Sequence, residues 1–196
     1  MIRSAKRMIQ SLKVPADHLV AVMNGGAIRA GIPAGDVTRK DINTVYPFSN
    51  TMVIIYVTGE ELLEVLEAST FCTPEPLGGF PQTAGIEWSL NTAKAYLPVQ
   101  EYPGSTYYEP AAVRRVTVKS VNGQPFRPED TYAVAASDFL AAGGDTYFVF
   151  GMKEGYDTGL MIDDILASYI KEGLGGLVTA EKYGAPRGDI RITGQE

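Results

Sequence analysis

The order of strand-like and helix-like segments constrains this chain more than any other feature of its sequence. Leu19–Met23, Met52–Val57 and Tyr132–Ala136 are short apolar runs, which are typical of buried strands. Thr38 and Thr58 each precede an acidic residue by three positions, the spacing of a capping box that opens a helix. Strands and helices therefore mix without strict alternation, which favours an α+β fold with mixed sheets over a doubly wound sheet.

The other segments are assigned by the same periodicity and turn rules. They are a helix over 2–13, a loop over 72–82, a strand over 86–90, an irregular surface excursion over 91–112, a strand over 113–121 entering a hairpin at Asn122-Gly123, a helix over 160–170 and a closing strand over 189–193. The 196 residues are 45% hydrophobic and 20% charged. That composition predicts one domain, spanning 1–196, with a sizeable core.

Charge and residue counts exclude several kinds of site. A net charge of −6 opposes binding to the phosphates of a long nucleic acid, although one or two arginines can hold a small anion. Single copies of histidine, His18, and cysteine, Cys72, leave no internal disulfide or thiolate cluster and do not favour a His-rich metal centre. The position of His18 just before an apolar run does not favour a Ser-His-Asp triad either. We expect His18 to be a partly exposed residue at a strand entrance. Residues 1–13 contain no membrane-spanning or signal-peptide stretch, which predicts either a cytoplasmic protein or an internal fragment.

Two loops in the first part of the chain carry side chains suited to ligand binding. In Asn24–Arg29, paired glycines would let backbone N–H groups approach a ligand, and Arg29 could fork onto an anion. In Tyr46–Asn50, Phe48 follows a rigid proline and Asn50 offers both donors and an acceptor. Each loop also has a simpler interpretation, because glycine pairs often form plain turns and Phe48 could fill the core.

A third loop, Asp138–Asp145, places Phe139 six residues before Asp145, with a Gly-Gly turn between them. A flat ligand could stack on the ring while the carboxylate accepts hydrogen bonds from hydroxyls; a strand end with a solvated aspartate is the alternative. The remaining candidates are assigned structural roles: Trp88 in the core, Asp163-Asp164 on a solvated helix face, a mobile loop at Thr106–Tyr108, and Glu60, Glu61, Glu64 and Glu67 exposed or capping.

Together, these loops resemble the C-terminal domain of the 5′-nucleotidase family, which includes bacterial UDP-sugar hydrolases, 2′,3′-cyclic-nucleotide phosphodiesterases and animal ecto-5′-nucleotidases. The resemblance runs from about Val20 to Thr193. The stretches that carry it are Met23–Arg29, Ile32–Val37, Pro47–Asn50, Thr58–Leu62, Gly78–Gln82 and Phe139–Asp145. It implies a four-layer α/β/β/α arrangement of mixed sheets covered by helices.

The resemblance also implies a role for each matching position. Phe48 and Phe139 would sandwich a nucleobase, Asp145 would accept hydrogen bonds from ribose hydroxyls, Arg29 would contact the ribose–phosphate side, and Asn24, Asn50 and Gly78 would line the pocket or meet the base. Two positions depart from the family pattern, since Ala27 and Thr146 stand where glycine is usual. Ala27 would narrow the approach to the backbone.

Catalysis in the family resides in a separate N-terminal metallophosphoesterase domain that holds a pair of divalent metals, such as zinc or manganese. The resemblance therefore implies a nucleotide-recognition fragment that is inactive alone and has no catalytic residue, metal or cofactor of its own. Its expected partners are a nucleoside or nucleotide and the catalytic domain, without nucleic acid or membrane insertion. A periplasmic, cell-surface or secreted location is implied in the same way. The alternative is a stand-alone nucleoside-binding or surface interaction module.

Overall fold

The computed structural model of this protein describes residues 11–194. Its strands are β1 (Leu19–Asn24), β2 (Thr51–Thr58), β3 (Pro81–Ala84), β4 (Ile86–Asn91), β5 (Pro98–Glu101), β6 (Tyr108–Pro110), β7 (Val116–Val121), β8 (Gln124–Pro125), β9 (Thr131–Ser137), β10 (Gly155–Met161) and β11 (Ile190–Thr193). Its α-helices are α1 (Arg39–Val45), α2 (Gly59–Ala68), α3 (Asp138–Ala141), α4 (Phe148–Gly151), α5 (Ile162–Ser168) and α6 (Ala180–Tyr183). Short 3-10 turns lie at Ala16–His18 and Gly25–Ala27, and a π-helical turn lies at Tyr169–Gly173.

Both predicted capping boxes form. The Thr38 hydroxyl accepts a hydrogen bond from the Asp41 N–H, and the Asp41 carboxylate accepts one from the Thr38 N–H at the start of α1. Thr58 and Glu61 make the same reciprocal pair at the start of α2. The hydrogen bonds from Thr38 hold the pKa of Asp41 below its usual value. Each pair satisfies two helix-terminal donors locally, which is why sequence spacing alone located both helix starts.

The two large sheets are mixed, as the α+β prediction requires. The first has the order β10-β2-β9-β1-β3, in which β1 and β9 are parallel and the other neighbours antiparallel. The second has the order β11-β4-β7-β8, in which β11 runs parallel to β4. The Asn122-Gly123 hairpin joins β7 to β8, with positive φ at both residues. Because β1 and β9 are parallel neighbours inside this sheet, their carboxyl ends, which belong to distant chain segments, lie on the same side of the sheet.

One hydrophobic core joins both large sheets and helix α2. Along β4 the side chains of Ile86, Trp88 and Leu90 are buried while the intervening residues are more exposed. The Trp88 indole N–H donates to the Thr83 hydroxyl at 3.0 Å, which satisfies its only polar atom. The predictions of an alternating strand here and of Trp88 in the core are confirmed.

Three segment predictions need correction. β3 begins inside the predicted loop 72–82, and the excursion 91–112 contains the antiparallel pair β5–β6. Strand β10 occupies the residues before Ile162, so the predicted helix 160–170 starts two residues late and continues as a π-helical turn. These strands are short, fully exposed as in β5, or bulged as in β10, so they lack the alternation that identifies a half-buried strand. The predicted helix 2–13 lies largely outside the described residues.

Glu67 was expected to be exposed or capping, but its side chain is buried. Its carboxylate accepts hydrogen bonds from the backbone N–H groups of Arg115 and Val116, at the start of β7. The buried Arg115 guanidinium in turn donates to the carbonyls of Thr70, Phe71 and Thr73. Helix α2 and the turn after it are thereby attached to the second sheet. The residues that share these hydrogen bonds are 42 to 49 positions apart in the sequence, which explains why no local pattern revealed the contact.

Other acidic side chains also have partners that were not anticipated. Asp163 and Asp164, predicted to be a solvated face, both pair with Arg39 Nη2, at 2.7 and 2.5 Å, and so connect α5 to α1. Glu64 is half-buried and accepts a hydrogen bond from the Tyr102 hydroxyl. Burial raises the pKa of Glu64. These contacts again join residues far apart in the chain.

Candidate functional site

One cavity of about 440 Å³ collects the residues that the sequence singled out. Its lining includes all seven predicted site residues, namely Asn24, Arg29, Phe48, Asn50, Gly78, Phe139 and Asp145, together with Gly26, Ala27 and Ser137. They come from four places in the chain: the end of β1, the α1–β2 loop, the loop before β3 and the segment after β9. Ser137 was missed by sequence reasoning. It caps α3 by accepting a hydrogen bond from the Leu140 N–H, and a serine before a short helix was the one available clue.

The glycine pair after β1 packs two loops together. The Gly25 N–H donates to the Phe80 carbonyl at 2.8 Å, and the Gly26 N–H donates to the Gly78 carbonyl at 2.7 Å. A Cβ on Gly26 would lie 3.1 Å from the Gly78 Cα, which is tighter than most side-chain contacts, so glycine suits this close approach. The prediction that these backbone N–H groups face a ligand is therefore wrong, because both are already used within the protein.

A buried tyrosine fixes the other side of the same loop. The Tyr147 hydroxyl donates to the Gly79 carbonyl at 2.9 Å, and the whole side chain is buried. Burial raises the pKa of Tyr147, so the hydroxyl remains a protonated donor. The loop carrying Gly78 is thus held from both sides, which gives the cavity a rigid wall.

The carboxylate of Asp145 lies at the cavity wall on a tight turn. Gly143 and Asp145 both have positive φ, of 86° and 52°, which confirms the predicted Gly-Gly-Asp turn. Asp145 Oδ2 accepts a hydrogen bond of 2.9 Å from Asn24 Nδ2. An ionised carboxylate has about four acceptor positions, so this bond orients Asp145 and leaves it able to accept from a ligand. Gly79 permits the approach, since a Cβ there would lie 3.3 Å from the Asp145 Cβ.

Two phenylalanine rings are unusually exposed for their size, both in the cavity lining. Phe48 is 54% exposed and Phe139 is 45% exposed. The proposal that Phe48 fills the core is therefore wrong. The Arg29 guanidinium lies 5.8 Å from the centroid of the Phe48 ring, within the range of a cation–π contact. Apolar rings left open beside charged groups are characteristic of a ligand site.

The Phe139 ring is positioned by the glycine turn that follows it. A Cβ on Gly144 would lie 2.5 to 2.7 Å from three carbons of the ring. No real contact is that short, so only glycine at this position allows the ring its present orientation. The short helix α3 carries Phe139 one residue after Asp138, which binds the Asn50 amide.

Arg29 retains donors for an anion. Its Nη1 donates to the Gly26 carbonyl at 3.1 Å, which fixes the guanidinium near the cavity, and the residue is exposed. A guanidinium has five N–H donors, so several remain after this bond. The arginine and the Asp145 carboxylate give one cavity both a cationic and an anionic group.

The single histidine and the single cysteine, His18 and Cys72, lie outside the cavity lining. His18 is partly exposed at the entrance of β1, as predicted, with Nδ1 2.9 Å from the Thr131 carbonyl oxygen. Cys72 is a free thiol. Within residues 11–194, no three His, Cys, Asp or Glu side chains form a group that could hold a metal ion. No helix in the same range has the length and apolarity to cross a membrane.

A comparison with protein families decides the relationship. The family described as the 5′-nucleotidase C-terminal domain matches residues 4–152. This chain belongs to that family. The matched range contains every residue that lines the cavity, so the resemblance inferred from the loop motifs is confirmed.

Individual relatives agree with the 5′-nucleotidase C-terminal domain assignment. The trifunctional nucleotide phosphoesterase protein YfkN of Bacillus subtilis is 34% identical over 183 residues, which cover 92% of this chain and 12% of that protein. UshA of Escherichia coli is 31% identical over 153 residues, which cover 78% of this chain and 24% of that protein. The crystal structure of a 5′-nucleotidase precursor from Thermus thermophilus superposes with a TM-score of 0.72 at 29% identity, covering 90% of this chain and 32% of that one. The chain thus corresponds to a minor part of each relative.

Proposed function

We propose that this 5′-nucleotidase C-terminal domain recognises nucleosides and nucleotides by stacking the base between Phe48 and Phe139. The observation that supports it most strongly is the pair of half-exposed rings in a cavity that also presents a carboxylate and a guanidinium. Stacking of a base on an aromatic side chain contributes about 1–3 kcal/mol and tolerates different bases. A flat, partly polar ligand matches these walls better than an aliphatic one.

The polar groups suit the rest of a nucleotide. Asp145, oriented by Asn24, would accept hydrogen bonds from the ribose hydroxyls, which are donors that an acceptor-only carboxylate needs. Arg29 would contact the ribose–phosphate side with the donors that its bond to Gly26 leaves free. Gly78 would give the ligand close access to the loop backbone.

We further propose that this domain belongs to a longer phosphoesterase in which hydrolysis of the nucleotide ester takes place elsewhere. The cavity's charged and amide groups, Arg29, Asp145, Asn24 and Asn50, include no histidine and one carboxylate, which is a poor donor set for a metal pair. A separate N-terminal metallophosphoesterase domain would hold two divalent ions, such as zinc or manganese. The role of this chain would be to bind and orient the substrate, outside the cytoplasm.

The direct test is a calorimetric titration of the purified chain with adenosine and with AMP. We expect both to bind with dissociation constants between micromolar and millimolar, with little gain from the phosphate, because most phosphate contacts would lie in the catalytic domain. No phosphate should be released from AMP when zinc or manganese is added. A folded chain that binds neither ligand contradicts the proposed recognition role. Metal-dependent release of phosphate from AMP by this chain contradicts the proposal that hydrolysis takes place in another domain.

Substitution of Gly144 by alanine tests whether the glycine turn positions the stacking ring. The added Cβ would overlap the Phe139 ring, so the ring must rotate, and we expect adenosine affinity to fall about threefold to tenfold, or roughly 0.7–1.4 kcal/mol. Gly31→Ala is the matched control, because nothing lies within 4 Å of a Cβ there. Equal affinities for the two variants, measured by calorimetry, would show that Gly144 does not position the ring.

A further inference from the structure

The orientation of the Asn50 side-chain amide is fixed by its partner. Asn50 Nδ2 donates to Asp138 Oδ1 at 2.6 Å. An ionised carboxylate can only accept hydrogen bonds, so the amide nitrogen, and not the amide oxygen, must face Asp138. The assignment of nitrogen and oxygen at Asn50 is therefore dictated by chemistry.

Asp138 is itself held in place and lies behind the cavity wall. Its Oδ1 also accepts the Phe139 backbone N–H at 2.9 Å, and Asp138 is absent from the cavity lining while Asn50 is part of it. The Asn50 backbone is anchored as well, since its carbonyl accepts the Ile162 N–H at 3.0 Å. Amide and carboxylate thus form a prearranged pair joined by a charge-assisted bond.

The free atom of this pair is the amide oxygen. Among the described residues, the polar contact made by the Asn50 side chain is the one from Nδ2, and its oxygen is not among the buried atoms without a partner. Asn50 follows Phe48 by two positions and binds the residue that precedes Phe139. A ring stacked between those phenylalanines would meet the Asn50 oxygen at its edge.

From this geometry we propose that Asp138 is a positioning residue that gives the cavity a preference for bases with an exocyclic amino group. The inference rests on the proposed nucleoside recognition. The amino group of adenine or cytosine donates to the Asn50 oxygen, whereas the oxo group of hypoxanthine or uracil places oxygen against oxygen. Rotating the amide to suit an oxo group would put its oxygen against the Asp138 carboxylate and break the bond between them.

The ratio of the dissociation constants of inosine and adenosine measures this preference. We expect the unmodified chain to bind adenosine at least fivefold more tightly than inosine. In Asp138→Asn, residue 138 can donate as well as accept, so the Asn50 amide can rotate, and the ratio should fall to within twofold. Asp36→Asn removes the same charge from an exposed loop and should keep the original ratio.

The ratio separates positioning from general support of the fold. If Asp138→Asn weakens the binding of adenosine and inosine equally, so that the ratio of their dissociation constants is preserved, Asp138 has only a structural role and the proposal is overturned. Equal binding of adenosine and inosine by the unmodified chain would also overturn it while leaving nucleoside recognition intact, and failure to bind either would refute recognition itself. Cytidine and uridine repeat the comparison without any substitution, so the proposal stays testable even if the variant fails to fold.

Discussion

Replacement of Phe139 by alanine is expected to weaken adenosine binding by at least tenfold while the domain remains folded. The side chain is 45% exposed, so its removal takes little buried area from the core. A stacked base would lose one aromatic face, worth about 1–3 kcal/mol, or about fivefold to 150-fold in the dissociation constant. Phe139 supplies one of the two faces of the proposed sandwich, so we expect a loss above the tenfold that about 1.4 kcal/mol gives. Calorimetry gives the affinity, and urea unfolding gives the stability.

Tyr156 supplies the matched control for this experiment. It is 66% exposed on strand β10 and lies outside the cavity lining, so Tyr156→Ala removes an exposed aromatic ring without touching the site. Phe139→Tyr retains the ring and should retain most of the affinity. Unchanged adenosine binding by a folded Phe139→Ala variant would refute the stacking role.

The sequence identified most of the residues that line the cavity because they lie in short, recognisable segments. Phe48 follows a proline in a loop, Phe139 lies in the short helix α3, and Asp145 lies on the Gly-Gly-Asp turn. The order of these motifs along the chain indicated one family. The sequence could not predict which hydrogen bonds the neighbouring backbone groups make. The glycine N–H groups after β1 are consumed by the loop that carries Gly78, a contact between segments more than 50 residues apart that no local pattern encodes.

The difference between local patterns and distant contacts also explains which parts of the fold prediction were right and which were wrong. The starts of α1 and α2 were predictable because capping depends on neighbours three residues apart. Strand β10 was not, since it is bulged and its Gly155 is required by the neighbouring strand: a Cβ there would lie 2.7 Å from Val53 Cγ1. The Asn50–Asp138 bond spans 88 positions. Local patterns therefore identified residues that line the cavity, and contacts between distant segments determine how those residues are held.

The largest expected effect on stability belongs to Arg115. Its guanidinium is buried and donates to three carbonyls in the turn after α2, those of Thr70, Phe71 and Thr73. Arg115→Met keeps the length and apolar stem of the side chain but removes every donor. Each carbonyl then loses a charge-assisted partner away from bulk water, and a buried acceptor left without a partner costs about 1–3 kcal/mol. For the three carbonyls together we expect a loss of about 3–5 kcal/mol.

Arg114→Met is the control, because the neighbouring arginine is exposed and the same chemical change there should alter the free energy of unfolding by less than about 0.5 kcal/mol. Urea unfolding of the two variants, compared at equal m-values, gives the difference directly. A similar small change for both would mean that water replaces the guanidinium in the turn. A large loss of unfolding free energy for Arg115→Met alone, with adenosine affinity retained below the unfolding transition, would show that the Arg115 hydrogen bonds stabilise the packing of α2 on the second sheet. This stabilisation would then be independent of the cavity.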